Sequence, residues 1–379
     1  MKITKIRAIP VNSGIPGRNY LFVMVETDEG LYGLGEAGIT GKELAVAGAI
    51  QHFDEQLRGE DPSRIDHIWQ RLFRGNFFKG GQILTSAISA VDLALWDIKG
   101  KALGRPVWDL LGGKCRDKVV CYAHITGATP EEMAVDAKNK VREGFKFVRF
   151  GVAEEPGGIL EPRRAVPQTV KLLAAVREAV GNDIEICIDF HTRLDPIDAV
   201  RLCDAAAPYD LFFAEDPVRS ENPDAYAFVR QHTNVPIAGG EELATKWEFK
   251  PLIERDLIDY VRVDLCIVGG LTEAKKIAGW AEAHYQKLAP HNPLGPVSTA
   301  SCVHLDIASP LFGVQELHRK PGYMTDLFPQ QLRFEGGHLL LPEEPGLGVD
   351  INEEAVADYP YQMPTPHELR MDDGSVTNW

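Results

Sequence analysis

The sequence predicts an α/β protein built as a modified (β/α)7-8 TIM-like barrel with an α+β capping domain at its N-terminus. Three observations carry this reading. From about residue 117 to 320, short β-like runs recur with helical patterns between them, the mark of parallel βαβ units. The polar residues ending those runs recur at about the length of one such unit, a ~5-residue strand, a ~12-residue helix and two short loops. The first 115 or so residues show neither pattern and read as a separate module.

In chain order, "LFVMVET" and "LYGLGEAG" flank "DEG" and predict a hairpin. "TSAISAVDLALWDIKGKALG" places Ile88, Val91, Leu95 and Ile98 at helical spacing, with Gly104 and Pro106 as a stop. Gly33, Gly35 and Gly38 fit G-x-G-x-x-G, but a dinucleotide fingerprint must follow a strand and open a helix. This one lies in a hairpin strand and is set aside. Eight candidate barrel strands follow: "KVVCYAH", "FKFVRFG", "IEICIDFH", "DLFFAED", "VPIAGGE", "IDYVRVD", "QKLAPH" and "FGVQE". Proline and glycine then cluster in "LLLPEEPGLGVDINEE", and the remaining chain is expected to return over the first module. The expected division is a capping domain at 1–115, a catalytic barrel at 116–330 and a returning segment at 331–379.

Composition excludes several function classes. With 44% hydrophobic and 25% charged residues the chain has the balance of a globular protein. A net charge of −15 opposes binding to nucleic acid or anionic membranes, and an anionic substrate must find local positive charge. No apolar run approaches the ~18 residues of a membrane span and "MKITKIRAIP" lacks a signal core, so a cytoplasmic location is expected. Six scattered cysteines form no C-x-x-C pair and read as reduced, mostly buried fillers.

The acids at the strand ends carry the chemistry. Asp189 to Glu215 is 26 residues and Glu215 to Glu241 is 26 again; Asp264, His291 and Glu316 continue the series at 23, 27 and 25. One barrel unit per step predicts these residues at equivalent heights on adjacent strands, at the mouth where active sites of such barrels are built. In "ICIDFHT", alternation along a strand would also put Asp189 and His191 on one side. Single acids at such positions also cap the following helices. Three converging carboxylates persist only when protons or a cation neutralise them, and hard oxygen ligands suit Mg²⁺.

These residues resemble the enolase superfamily, specifically its mandelate racemase subgroup and within it the D-galactonate dehydratases. The likeness spans "TDEGLYGLGEA", "AISAVDLALWDIKGKALGRPVWDLLGG", "DFH", "AEDP", "GGEE", "VDLCIVGGLTEAKKIAGWAEA", "LAPHNPLGP" and "PGLGVDI". It implies one Mg²⁺ per subunit, held by Asp189, Glu215 and Glu241, and a homo-oligomer acting on a small sugar acid. It further implies His291 supported by Asp264 as base, His191 as acid, and Glu316 beside the reacting carboxylate, where it would have to be protonated or share a proton. His124 is a candidate substrate contact, and Arg18, Tyr20 and Lys79 are candidate capping-loop contacts. The implied reaction is carbon–oxygen lysis: loss of the α-proton of an aldonate, then of the 3-hydroxyl, to a 2-keto-3-deoxy acid. D-galactonate is the first substrate considered, and "DFHTRLDP" and "EDPVRSENPDAY" keep mannonate and gluconate dehydratases open. Many relatives carry a second-strand Lys-x-Lys base pair, but Arg149 and Gly151 stand here, and an arginine protonated at pH 7 disfavours two-base racemisation. The alternative of another class is a barrel that has lost catalysis and only binds.

Overall fold

The computed structural model describes residues 1–378. Strands β1 (Ile3–Asn12), β2 (Asn19–Thr27) and β3 (Tyr32–Ala37) form an antiparallel sheet in the order 1-2-3, with β2 and β3 as the expected hairpin. Helices α1 (Glu43–Leu57), α2 (Ile65–Arg74) and α3 (Gln82–Leu103) cover it. α3 buries Ile88, Val91, Leu95 and Ile98 in the core shared with that sheet, and Gly104 ends it in the left-handed conformation that glycine adopts without a Cβ clash. The set-aside glycines have a packing role: a Cβ on Gly33 or Gly35 would collide with the carbonyl oxygens of Ala94 and Ala90 in α3. Gly35→Ala is therefore expected to destabilise the capping domain by about 1–3 kcal/mol, read as a lower urea midpoint.

A short helix, α4 (Val107–Leu110), leads into the barrel. Its strands are β4 (Lys118–His124), β5 (Phe147–Gly151), β6 (Glu185–Asp189), β7 (Phe213–Glu215), β8 (Ile237–Gly239), β9 (Tyr260–Val261), β10 (Lys287–Leu288) and β11 (Gln315–Leu317). Helices α5 (Pro130–Arg142), α6 (Pro162–Val180), α7 (Pro196–Ala206), α8 (Pro223–His232), α9 (Lys246–Glu254), α10 (Gly270–Ala283) and α11 (Pro296–Ala308) follow the first seven in turn. Neighbours from β4 to β10 pair parallel and β11 returns parallel to β4. The seam between β10 and β11 is a single bridge, Leu288 to Phe312, reinforced by the Gly313 amide on the Leu288 carbonyl at 2.8 Å. Inside, Tyr122, Cys187, Phe213, Ala238, Ala289 and Val314 pack with Phe147, Phe212 and Tyr260. Several of these begin their strands, so an aromatic floor closes the amino end of the cylinder.

The C-terminal chain touches both parts. A hairpin of β12 (Phe334–Glu335) and β13 (His338–Leu340) adds antiparallel to β4. Tyr359 and Gln362 bond the backbone of Asn12 and the side chain of Asn19 in the capping sheet. Arg370 then pairs with the loop after β5, through the Gly158 carbonyl and the Leu160 amide, and Asp372 accepts two 2.7 Å bonds from Arg164. No helix among the described residues is long and apolar enough to cross a membrane.

Candidate active site

A cavity of about 520 Å³ opens at the carboxyl ends of the barrel strands, beneath the capping domain. Its size suits a small-molecule substrate. Asp189, His191, Glu241, His291, Glu316 and His124 all line it. Glu215 and Asp264 lie just behind, fully buried.

Of the five steps in the series, the strand register matches two and misses the step to Glu241 by three residues. Asp189 and Glu215 are direct register partners on β6 and β7. The β9 and β10 partners, Tyr260 with Lys287 and Val261 with Leu288, are offset by the same interval as Asp264 and His291. Glu215, however, pairs with Ala238, so Glu241 sits three residues beyond that height. β8 ends at Gly239, Gly240 turns at φ +119°, and the loop carries Glu241 back to the mouth. His191 also arrives by a turn. β6 ends at Asp189, His191 adopts φ +50°, and its amide donates to Asp189 Oδ1 at 2.7 Å. Strand alternation thus does not place it, although both side chains reach the cavity.

Oxygens of Glu215, Asp216 and Glu241 lie within 4.8 Å of one another, all three residues buried. Among the described residues, Glu241 Oε2 and Asp216 Oδ2 have no hydrogen-bond donor, and Glu215 Oε1 has no aligned one. Asp189 adjoins this cluster, with its oxygens engaged by the Arg149 guanidinium and the His191 amide. Asp216 was absent from the expected ligand set; its other oxygen, Oδ1, accepts from Tyr226 at 2.7 Å and the Gly240 amide at 3.1 Å. Burial and the neighbouring Asp216, Asp189 and Glu215 push the Glu241 carboxyl well above its ordinary range, and burial with Glu215 lifts Asp216 to about 7. Crowded, donor-poor carboxylate oxygens are what a hard divalent cation relieves. The residues present therefore fit Mg²⁺.

Two arginines offset part of the crowd. Arg262 is fully buried, with Nη2 at 2.6 Å from Glu215 Oε1, 2.7 Å from Glu316 Oε2 and 3.7 Å from Glu241 Oε2. Arg149 Nε lies 3.4 Å from Glu215 Oε2. Arg262 was not singled out in the sequence, where an arginine inside the apolar run "YVRVD" was the available signal.

His291 Nδ1 meets Asp264 Oδ2 at 2.8 Å, and its Nε2 faces Glu241 at 3.7 Å. Burial works against a charge on His291, but Glu316 and Asp264 outweigh it and raise its proton affinity. Glu316 departs from expectation. Burial would push its carboxyl up, yet Arg262, His291 and His124 hold it well below the ordinary range. It accepts from Arg262, from the Asn292 amide at 2.8 Å and from His124 Nε2 at 2.9 Å, a set of partners for an ionised carboxylate. His124 Nδ1 in turn lies 3.3 Å from Arg149 Nη1, so the ring bridges arginine and glutamate. Of the capping candidates, Arg18 lines the cavity and donates to the Pro293 carbonyl at 3.2 Å. Tyr20 is instead buried within β2, and Lys79 does not line the cavity. His318 and the C-terminal His367 also line it, unannounced by any spacing.

The mandelate racemase / muconate lactonizing enzyme N-terminal domain matches residues 8–112, and the enolase C-terminal domain-like family matches 132–355. The chain belongs to the mandelate racemase subgroup of the enolase superfamily. Within it, this member is 40% identical to a D-galactonate dehydratase of Pectobacterium atrosepticum, over 100% of both chains. It is 38% identical to a D-mannonate dehydratase of Caulobacter vibrioides, over 96% of this chain and 97% of that one. Among solved structures, an enolase of Pantoea ananatis with bound D-gluconate and Mg superposes with a TM-score of 0.93 at 35% identity, covering 100% and 99% of the two chains.

Proposed function

We propose that the protein is a Mg²⁺-dependent acid-sugar dehydratase, a hydro-lyase converting an aldonate to its 2-keto-3-deoxy acid, with D-galactonate the first substrate to test. The observation that carries this is the His291–Asp264 pair facing a buried carboxylate cluster across the cavity that His191 also lines. Glu215 and Glu241, with Asp189 or Asp216, would hold the ion. When bound, Mg²⁺ supplies positive charge to the substrate carboxylate as negative charge builds there.

His291 Nε2 takes the α-proton. Its Nδ1–H is fixed on Asp264, which sets the tautomer and favours the imidazolium. Glu316, kept ionised by Arg262, adds a second negative charge near that imidazolium and so assists the base instead of donating to the substrate. His191 gives a proton to the 3-hydroxyl as its C–O bond breaks, water leaves, and the resulting enol becomes the ketone. A second reading, D-mannonate or D-gluconate as substrate, is supported by the Caulobacter relative and by the gluconate held in the Pantoea structure.

The test is a panel of aldonates and aldarates with Mg²⁺, assayed for 2-keto-3-deoxy product, beside calorimetric titration of Mg²⁺. Turnover lost on chelation and about one Mg²⁺ per chain are expected. A chain that binds Mg²⁺ but dehydrates no acid sugar would refute the reading.

A further inference from the structure

Along α3, residues Ser86, Ser89, Asp92 and Trp96 form a polar stripe at helical spacing, and all four grip one short barrel segment, residues 266 to 272. Ser86 Oγ donates to the Cys266 carbonyl at 2.8 Å while accepting from the Gly38 amide at 2.9 Å. Ser89 Oγ accepts from the Gly269 amide at 2.8 Å, and Asp92 Oδ2 from the Thr272 amide at 3.0 Å. Trp96 Nε1 donates to Thr272 Oγ1 at 2.9 Å. Gly38 approaches so closely that a Cβ there would press on Ile267 at 2.7 Å and on Cys266.

This segment begins two residues after Asp264. The Cys266 amide donates to Asp264 Oδ1 at 2.7 Å, and Asp264 Oδ2 holds His291 at 2.8 Å. A continuous hydrogen-bond chain therefore runs from Ser86 in the capping helix through residue 266 and Asp264 to the imidazole. Ser86, Cys266 and Asp264 are all fully buried, so no water competes along it.

We infer that Ser86 is a positioning residue for proton abstraction: it fixes Cys266, whose amide fixes the Asp264 carboxylate, which sets the angle of the His291 ring. The capping domain thereby contributes to the chemical step as well as covering the cavity. Ser89, on the same helix and gripping the same segment five residues beyond Asp264, lies off this chain and supplies the control. The inference rests on the proposed dehydratase reading.

Ser86→Ala is expected to lower kcat by about 10- to 100-fold with KM within about twofold, the scale of a misaligned reacting group. Ser86→Cys, of similar size but a weaker donor, is expected to fall between Ala and wild type. Ser89→Ala, losing a comparable buried bond, is expected to keep wild-type kcat. Independently of turnover, amide hydrogen exchange at residues 264–267 is expected to quicken in Ser86→Ala and not in Ser89→Ala. Equal kcat losses in both alanine variants, or unaltered kcat and exchange in Ser86→Ala, would overturn the inference. A wild-type protein inactive on every acid sugar would instead sink the functional reading, and the exchange experiment would still judge the hydrogen-bond chain.

Discussion

A His291→Asn variant is expected to lose about 10²- to 10⁴-fold in kcat, the usual contribution of a positioned general base. Asparagine can keep a hydrogen bond to Asp264 but has no nitrogen that accepts a proton. The loss should extend to exchange of the α-hydrogen with deuterated buffer, because that exchange needs only the first step. His191→Asn should behave differently, stopping release of product while exchange continues, since His191 acts on the departing hydroxyl. The two variants followed by deuterium incorporation and product formation separate the roles. Full α-hydrogen exchange in His291→Asn would remove that residue as the base.

The second large effect concerns stability. Arg262→Met should destabilise the protein by about 3–5 kcal/mol, because it removes the buried charge that Glu215 and Glu316 share, leaving Glu215 only the more distant Arg149. Methionine fills much of the volume, so lost packing is the smaller part. Thermal denaturation with chelator should show the full drop, and saturating Mg²⁺ should recover part of it, since a ligand held only by the folded state stabilises it. An unchanged melting temperature would mean that the carboxylates take up protons at little cost and that Arg262 is not their counter-charge.

The barrel was legible because its signal is periodic: each unit repeats a strand, a helix and a polar strand end. The same period led directly to Asp189, Glu215, Asp264 and His291. The period misjudged Glu241 and strand alternation misjudged His191, because β8 and β6 stop short and turns at positive φ deliver those side chains where counting along a strand cannot. Arg262 and Asp216 escaped for another reason. Their importance lies in the side chains that other strands and loops bring against them, which the arginine in "YVRVD" hints at but cannot specify. The polar stripe of α3 was masked by its own helix, since the apolar residues that define the helix drew the reading to the opposite face. The low proton affinity of the Glu316 carboxyl likewise depends on Arg262, His291 and His124, gathered from three separate strands or loops.

The ring of aromatic residues at the base of the cylinder carries a consequence for traffic. Because packed side chains fill the lower end, the cavity opens at the carboxyl ends of the strands, on the side of the capping domain. A molecule lodged at that opening, among Arg18, Thr40 and Gln82 of the capping domain, would obstruct arrival and departure on that side together.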